Sequence, residues 1–395
     1  MTSREVWITG VGLVSCFGEG AQSHWEILGG AEAPKPVIDS ERFAPYSVHP
    51  LPTMDWSKQI PRRGDQRQME NWQRLGTYTA GLALDDAGLK TDEALVSNMD
   101  LVVAAGGGER DLSVDESVLS DAVSRNDREM LLNERLPSDL RPTLFLAQLS
   151  NLLAGNISIV HKVTGSSRTY MGEESAGLTA IENAMRRIEA GQSTHALVGG
   201  AFNAERPDLL LNMELGHFTW RGEPLPIQAR QAAGGGVITG TAGAFVVMED
   251  AEHARKRGAK PYAKLTRIVS DLGPRDEKST RERIGAMLDK LNPDPGTPVI
   301  SGATGYKDVT DIEFAALRAK LGQDVAIRAF STMIGNPIEA NFPAGIALAA
   351  LAIYNGSLYP PFEEAEKAFG SKPSSILVST IGHYRGEGFG LMERI

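Results

Sequence analysis

A strand–helix alternation that runs through the chain once and then starts again constrains the fold more than any other feature. In the first run, residues 5–10 read as a strand entering a glycine turn, and residues 72–87 as a helix that stops near Gly88. Residues 101–105 read as a buried-type strand before Gly106, Gly107 and Gly108, residues 168–171 as a short strand, and residues 196–199 and 244–248 as further strands. The helix predicted over 176–190 carries Ala176, Ala180, Ile181, Ala184, Met185 and Ile188 on one stripe, with Gly191 as its stop. Residues 110–145 are charged and helical or irregular, without a clean period. A basic helical segment, 251–260, then connects to the second run. That run has strands at 262–269, 299–301, 325–330 and 376–379, a helix at 311–321, and a nearly all-apolar helix at 342–354. A helix apolar all round is buried on several sides. Alternation in both runs predicts a layered α/β architecture in two halves, 1–255 and 256–395.

A length of 395 residues fits two or three domains of about 100–200 residues, or two halves sharing one large core. With 42% hydrophobic residues the interior is ample, and global disorder is excluded. Lys and Arg total 40 against 50 Asp and Glu, a net charge of −10, which disfavours non-specific nucleic-acid binding. The single cysteine, Cys16, can form neither an internal disulfide nor a Cys-rich metal site, and fits a reducing cytosol. Leu13-Val14-Ser15-Cys16 superficially matches a lipoprotein cleavage box, but Arg4 and Glu5 precede a short, glycine-broken apolar run that is unlike a signal peptide. The longest apolar stretch, 342–354, is 13 residues, short of the roughly 20 that a bilayer span needs. The expectation is a cytoplasmic chain without a membrane span. None of the seven histidines has a metal-type spacing, and Gly106–Gly108 lacks both Gly-x-Gly-x-x-Gly and Gly-Lys-Ser. No cofactor and no metal are therefore expected, and the glycine triplet reads as a backbone turn.

Several blocks carry a resemblance. Leu152-Leu-Ala-Gly-Asn-Ile-Ser-Ile-Val, Gly165-Ser, Glu174-Ser-Ala-Gly, Gly191 and Gly199-Gly-Ala, in that order and spacing, resemble the nucleophile region of β-ketoacyl-acyl-carrier-protein synthases. Trp7-Ile-Thr-Gly-Val-Gly-Leu-Val-Ser is similar to that family's opening strand, the segment from Ala251 to its mid-chain helix, and Met333-Ile-Gly-Asn to its Met-Thr-Gly-His. The resemblance covers nearly the whole chain. It implies a thiolase-like fold: two topologically similar halves in a five-layered α-β-α-β-α sandwich, usually dimeric through the strand before the nucleophile, here 168–171.

The resemblance also says what has been replaced. Family members use a cysteine at a strand-to-helix turn, where the helix N-terminus lowers its pKa and offers N–H groups to an oxyanion. Two histidines support malonyl decarboxylation. Glu174 falls on the cysteine position, Gly302 (before Ala303 and Thr304) on the first histidine, Asn336 on the second and Ser331 on a nearby lysine. The gating loop becomes Gly382-His383-Tyr384-Arg385-Gly386-Glu387, which makes His383 a candidate pocket residue beside Thr304 and Ser331. Cys16 lies far from the nucleophile position and reads as a small packed residue. An ionised Glu174 is a weak nucleophile toward a thioester, repels a malonyl carboxylate and has no hydrogen-bond donor. Burial could instead keep it protonated, as a mimic of the glutamine found in some relatives. Glu173 beside it invites a carboxylate-pair reading, but neighbours on a turn into a helix point different ways.

Arg63 and Arg67 match positions that contact the acyl carrier protein in some relatives, although Gly64 and Gln68 replace two other basic positions. Some relatives that lost the cysteine act as chain-length factors, pairing with an active ketosynthase. The resulting expectation is such a subunit of fatty-acid, specialised-lipid or polyketide synthesis, with an active ketosynthase or a second copy as dimer partner. The alternatives are an enzyme with residual malonyl decarboxylase, acyl-transfer or hydrolase activity using Glu174 with Thr304 or Asn336, and a homodimer that binds acyl groups without turning them over.

Overall fold

The computed structural model describes residues 4–395. Ten strands make up two five-stranded runs: β1 (Val6–Ser15), β2 (Asp100–Ala104), β3 (Ser167–Tyr170), β4 (His195–Phe202) and β5 (Ala242–Asp250), then β6 (Ala263–Asp271), β7 (Val299–Ser301), β8 (Ile327–Ala329), β9 (Ser375–Ile381) and β10 (Glu387–Glu393). The first run pairs in the order β3-β2-β4-β5-β1 and the second as β8-β7-β9-β10-β6. Within each run the third, second and fourth strands are parallel, and the fifth is antiparallel to both the fourth and the first. The halves therefore share one topology. They are hydrogen-bonded to each other where β1 meets β6, with Val6 opposite Leu265.

Six helices complete the layers: α1 (Asn71–Asp86), α2 (Leu152–His161), α3 (Glu174–Glu189), α4 (Glu277–Leu291), α5 (Lys307–Leu321) and α6 (Asn341–Asn355). Helices α1 and α2 cover the outer face of the first sheet, and α4 and α5 that of the second. Helices α3 and α6 lie between the two sheets and share one hydrophobic core with both. The result is the α-β-α-β-α sandwich of a thiolase-like fold.

The sequence periods follow from these positions. Every residue of β1, β2, β4 and β5 is buried, so these strands show continuous apolar runs rather than alternation. Helix α6 is buried from Asn341 through Ile353, and each large apolar side chain within it contributes about 1.5–3 kcal/mol by leaving water. The segment 110–145 resolves into helices Leu112–Ser124 and Arg128–Asp139. Helix α4 and strand β10 were not anticipated; Gly388 and Gly390 weaken the strand signal of β10.

One close approach positions the site. A Cβ on Gly177 of α3 would stand 2.5 Å from Glu339 O and 2.6 Å from Pro343 Cδ. Its absence lets the segment entering α6 lie directly against the first turn of α3. Among the described residues, no helix is long and apolar enough to cross a membrane.

Candidate active site

Strand β3 turns into α3 through Gly172 and Glu173. Glu173 holds φ 52° and ψ −134°, a conformation that costs a non-glycine residue energy and aims its successor away from it. Glu173 reaches outward to Arg385, whose Nε lies 2.9 Å from Glu173 Oε2. Glu174, the first helical residue, points inward and is fully buried. The two carboxylates therefore do not form a pair.

Glu174 Oε1 accepts from Asn336 Nδ2 at 2.7 Å and from His383 Nδ1 at 2.8 Å, and His383 Nδ1 is also 3.1 Å from Oε2. Burial acts to raise the Glu174 carboxyl. The charge of His383 and the hydrogen bonds from His383 and Asn336 outweigh it and hold the group below the ordinary carboxylate value. For His383, burial acts to lower the imidazole, but the attraction of Glu174, aided by Glu173 and Glu339, carries it above its ordinary value. Between the ordinary values of 4.5 and 6.5 the pair is therefore carboxylate and imidazolium. A protonated, glutamine-like Glu174 is the opposite of this direction.

Asn336 is oriented from behind. Asn341 Nδ2 donates to Asn336 Oδ1 at 2.9 Å and to Gly302 O at 3.0 Å, and Thr380 Oγ1 donates to Asn341 Oδ1 at 2.9 Å. Asn341 also fills the space beside Gly302. A Cβ there would overlap Asn341 Oδ1 and stand 3.0 Å from Ser379 O. No side chain larger than hydrogen fits at residue 302 while Asn341 holds this rotamer.

Of the sequence-predicted residues, Glu174, Gly302, Asn336 and His383 come together. Thr304 is buried, but its hydroxyl accepts from the Tyr306 amide at 3.2 Å, serving its own turn. Ser331 is buried, and its hydroxyl has no hydrogen-bond partner among the described residues. Arg63 and Arg67 are exposed on the short helix Arg63–Gln68, away from the buried cluster. Cys16 is buried, with Sγ 3.9 Å from His49 Nδ1 and 3.5 Å from Met333 O, and burial pushes its thiol up to about 12. That cysteine is inert as a nucleophile. Among the described residues, no group of three or more His, Cys, Asp or Glu side chains is placed to share a metal. At the glycine triplet, the Gly107 and Gly108 carbonyls accept from Arg206 and the Gly106 carbonyl from Ser150 Oγ.

Sequence reasoning missed Asn341, Arg275, Phe218 and Glu339. Asn341 left one signal, a polar residue opening an otherwise apolar helix. Arg275 Nη2 donates to Gly382 O at 3.0 Å and Gly386 O at 3.2 Å, and Nη1 to the buried Glu387 at 2.8 Å. Phe218 packs edge-on against His383, with centroids 4.8 Å apart. Glu339, buried beside Gly106, is pushed up to about 7 by burial and then by the charges of Glu174 and Glu173. On the outer side of His383 lies a cavity of about 430 Å3, lined among others by Phe218, Arg275, Arg281, Tyr306 and Tyr384.

This fold and this buried cluster at the strand-to-helix turn define a ketosynthase-type thiolase fold. The family described as β-ketoacyl synthase, N-terminal domain, matches residues 3–254, and the chain belongs to the β-ketoacyl synthase family. It is 26% identical over 273 residues to 3-oxoacyl-[acyl-carrier-protein] synthase 2 of Vibrio harveyi, a match covering 67% of this chain and 62% of that protein. It is 26% identical over 371 residues to the tetracenomycin polyketide synthase ketoacyl synthase beta subunit of Streptomyces glaucescens, covering 88% of this chain and 85% of that one. The solved structure of the ishigamide ketosynthase/chain length factor shares the fold, with a TM-score of 0.78 and 19% identity over 100% of both chains.

Proposed function

We propose that this chain is a ketosynthase-like subunit of fatty-acid, specialised-lipid or polyketide synthesis, of the chain-length-factor type. In this reading it lacks condensing chemistry of its own and pairs with an active ketosynthase. The observation that carries the reading is the buried Glu174–His383 ion pair at the helix entry where the family places its thiol. A carboxylate neutralised by an imidazolium and an amide is a poor acyl acceptor, and the two donors that could stabilise an enolate are already engaged. The similarity to a ketoacyl synthase beta subunit over most of the chain supports the same role.

The first half offers a surface for pairing. Among the described residues, strand β3 ends its sheet and pairs with β2 alone. An open strand edge is a template for another chain. Beside it Met171 is 65% exposed, its sulfur 3.3 Å from Ser150 Oγ, and Phe145, five residues before Ser150 in the sequence, is 70% exposed. The exposed Arg63 and Arg67 offer positive charge to an acidic acyl carrier protein in the cytoplasm.

Co-expression with ketosynthases that retain Cys-His-His tests the reading. The expected result is a stable heterodimer that elongates malonyl-carrier substrates and loses activity when the partner's cysteine is replaced. Condensation by the isolated chain, or carbon dioxide release from malonyl-carrier protein by the isolated chain that Glu174→Ala abolishes, would give the role to an enzyme instead. An exclusive homodimer would reject the heteromeric subunit.

A further inference from the structure

The direction of the Asn336–Glu174 hydrogen bond is fixed from outside. The Gly302 carbonyl can only accept, so the Asn341 group facing it at 3.0 Å is the amide nitrogen. The same nitrogen donates to Asn336 and leaves that residue's own nitrogen facing Glu174 at 2.7 Å. Asn336 therefore donates to the oxygen that His383 Nδ1 also contacts at 2.8 Å, and as an imidazolium His383 donates there too, at the N-terminal turn of a 16-residue helix. A fixed amide donor, an imidazolium and a helix entry together favour an anion with two oxygens over a neutral acid.

The same carboxylate also reaches the loop at 382–386. His383 is the loop's inward residue, and a Cβ on Gly382 would stand 3.1 Å from Glu174 Oε2. The loop closes on itself through Gly382 N to Gly386 O at 2.8 Å. Arg275 clasps its outer carbonyls, and Arg385 adds the contact to Glu173. Arg385 pulls from the solvent side and Arg275 is part-buried, whereas the Glu174–His383 contact is a buried tie on the inner side.

We propose that Asn336, His383 and the entry of α3 form a carboxylate-binding seat which the chain fills with its own Glu174, and that this internal ligand latches the 382–386 loop shut. The ligand class is a small monocarboxylate, and the natural occupant is intramolecular. The proposal does not depend on the pairing role proposed above.

Glu174→Ala removes a CH2–COO− unit, which acetate reproduces in size and charge. In the purified full-length Glu174→Ala protein, amide exchange of the peptide spanning 382–386 should rise about tenfold over wild type, an opening of local rather than global structure. Acetate should restore protection saturably, while acetamide and chloride at matched concentration should not. In Glu174→Ala/His383→Gln the acetate response should vanish. Unchanged exchange in Glu174→Ala, equal rescue by acetamide, or acetate rescue without His383 would each overturn the latch. If Glu174→Ala does not fold, His383→Gln alone decides: increased exchange confined to 382–386 supports the proposal, and wild-type exchange refutes it.

Discussion

His383 Nδ1 lies 2.8 Å from Glu174 Oε1, and both side chains are buried. The residue at the entry of α3 and the loop that covers it are therefore joined by an ion pair across 209 positions of sequence. Breaking a buried pair by removing one partner leaves an uncompensated charge and costs about 3–5 kcal/mol. Glu174→Gln and His383→Gln should each lower denaturant stability by about that amount. The double variant should cost at least about 1 kcal/mol less than their sum, because the two act through one contact. Additive losses in a double-mutant cycle would mean that the pair carries no coupling.

The same pair gives stability a defined pH profile. Glu174 sits below its ordinary 4.5, so its contribution is complete above that value and is lost as pH falls through its lowered folded value. His383 sits above its ordinary 6.5, so its contribution is complete below that value and is lost as pH rises through its raised folded value. The stability difference between wild type and Glu174→Gln/His383→Gln should thus be flat between 4.5 and 6.5 and shrink on both sides. The charges of Glu173, Glu339 and Arg275 also act on the pair and are present in both proteins, with Arg385 held on Glu173. Glu339, pushed up to about 7, ionises at the alkaline edge. A difference that grows above neutral pH would contradict this assignment.

Gly302 and Asn341 share one volume. Gly302→Ala should cost about 1–3 kcal/mol, the usual range for overpacking a filled interior. Adding Asn341→Gly should recover part of that loss by vacating the space. Gly302→His should be less stable than Gly302→Ala, because a larger side chain meets Asn341 in the same space. Thermal melts of the three variants check the order, and a Gly302→Ala protein as stable as wild type would show that Asn341 yields freely.

Cys16 should behave as a core atom. Its thiol, raised to about 12 by burial, has almost no thiolate at neutral pH. Reaction with a disulfide reagent should be absent in the native protein and appear only with global unfolding in denaturant. Rapid native-state labelling would reopen the cysteine as a functional group.

Replacing Met171 and Phe145 by Asp should abolish co-purification with a ketosynthase partner while changing the stability of the isolated chain by no more than about 0.5 kcal/mol, as expected for exposed positions. Size-exclusion chromatography coupled to light scattering reads the first effect and calorimetry the second. Retained pairing would move the interface elsewhere.

The periodicities at 176–190 and 342–354 are local properties of the chain, and both helices stand where they were expected, starting a residue or two earlier. The strands β1, β4, β5 and β9 were legible for the same reason: burial on both faces concentrates apolar residues in short runs. Strand β10 and helix α4 were not. The glycines of β10 hide its propensity, and Glu277–Leu291 has few apolar residues beyond those facing β6 and β10.

The sequence by itself determined most of the strand–helix alternation, the absence of an imidazole at 302 and 336, and the carboxylate at the entry of α3. Only the tertiary structure decided what that carboxylate is. Residues 174, 336, 341 and 383 meet because two sheets and two central helices pack face to face, and no sequence spacing encodes which lone pair faces which proton. The charge state of Glu174 depends on that facing: donors converge on it from Asn336 and His383, and their combined pull exceeds the effect of burial.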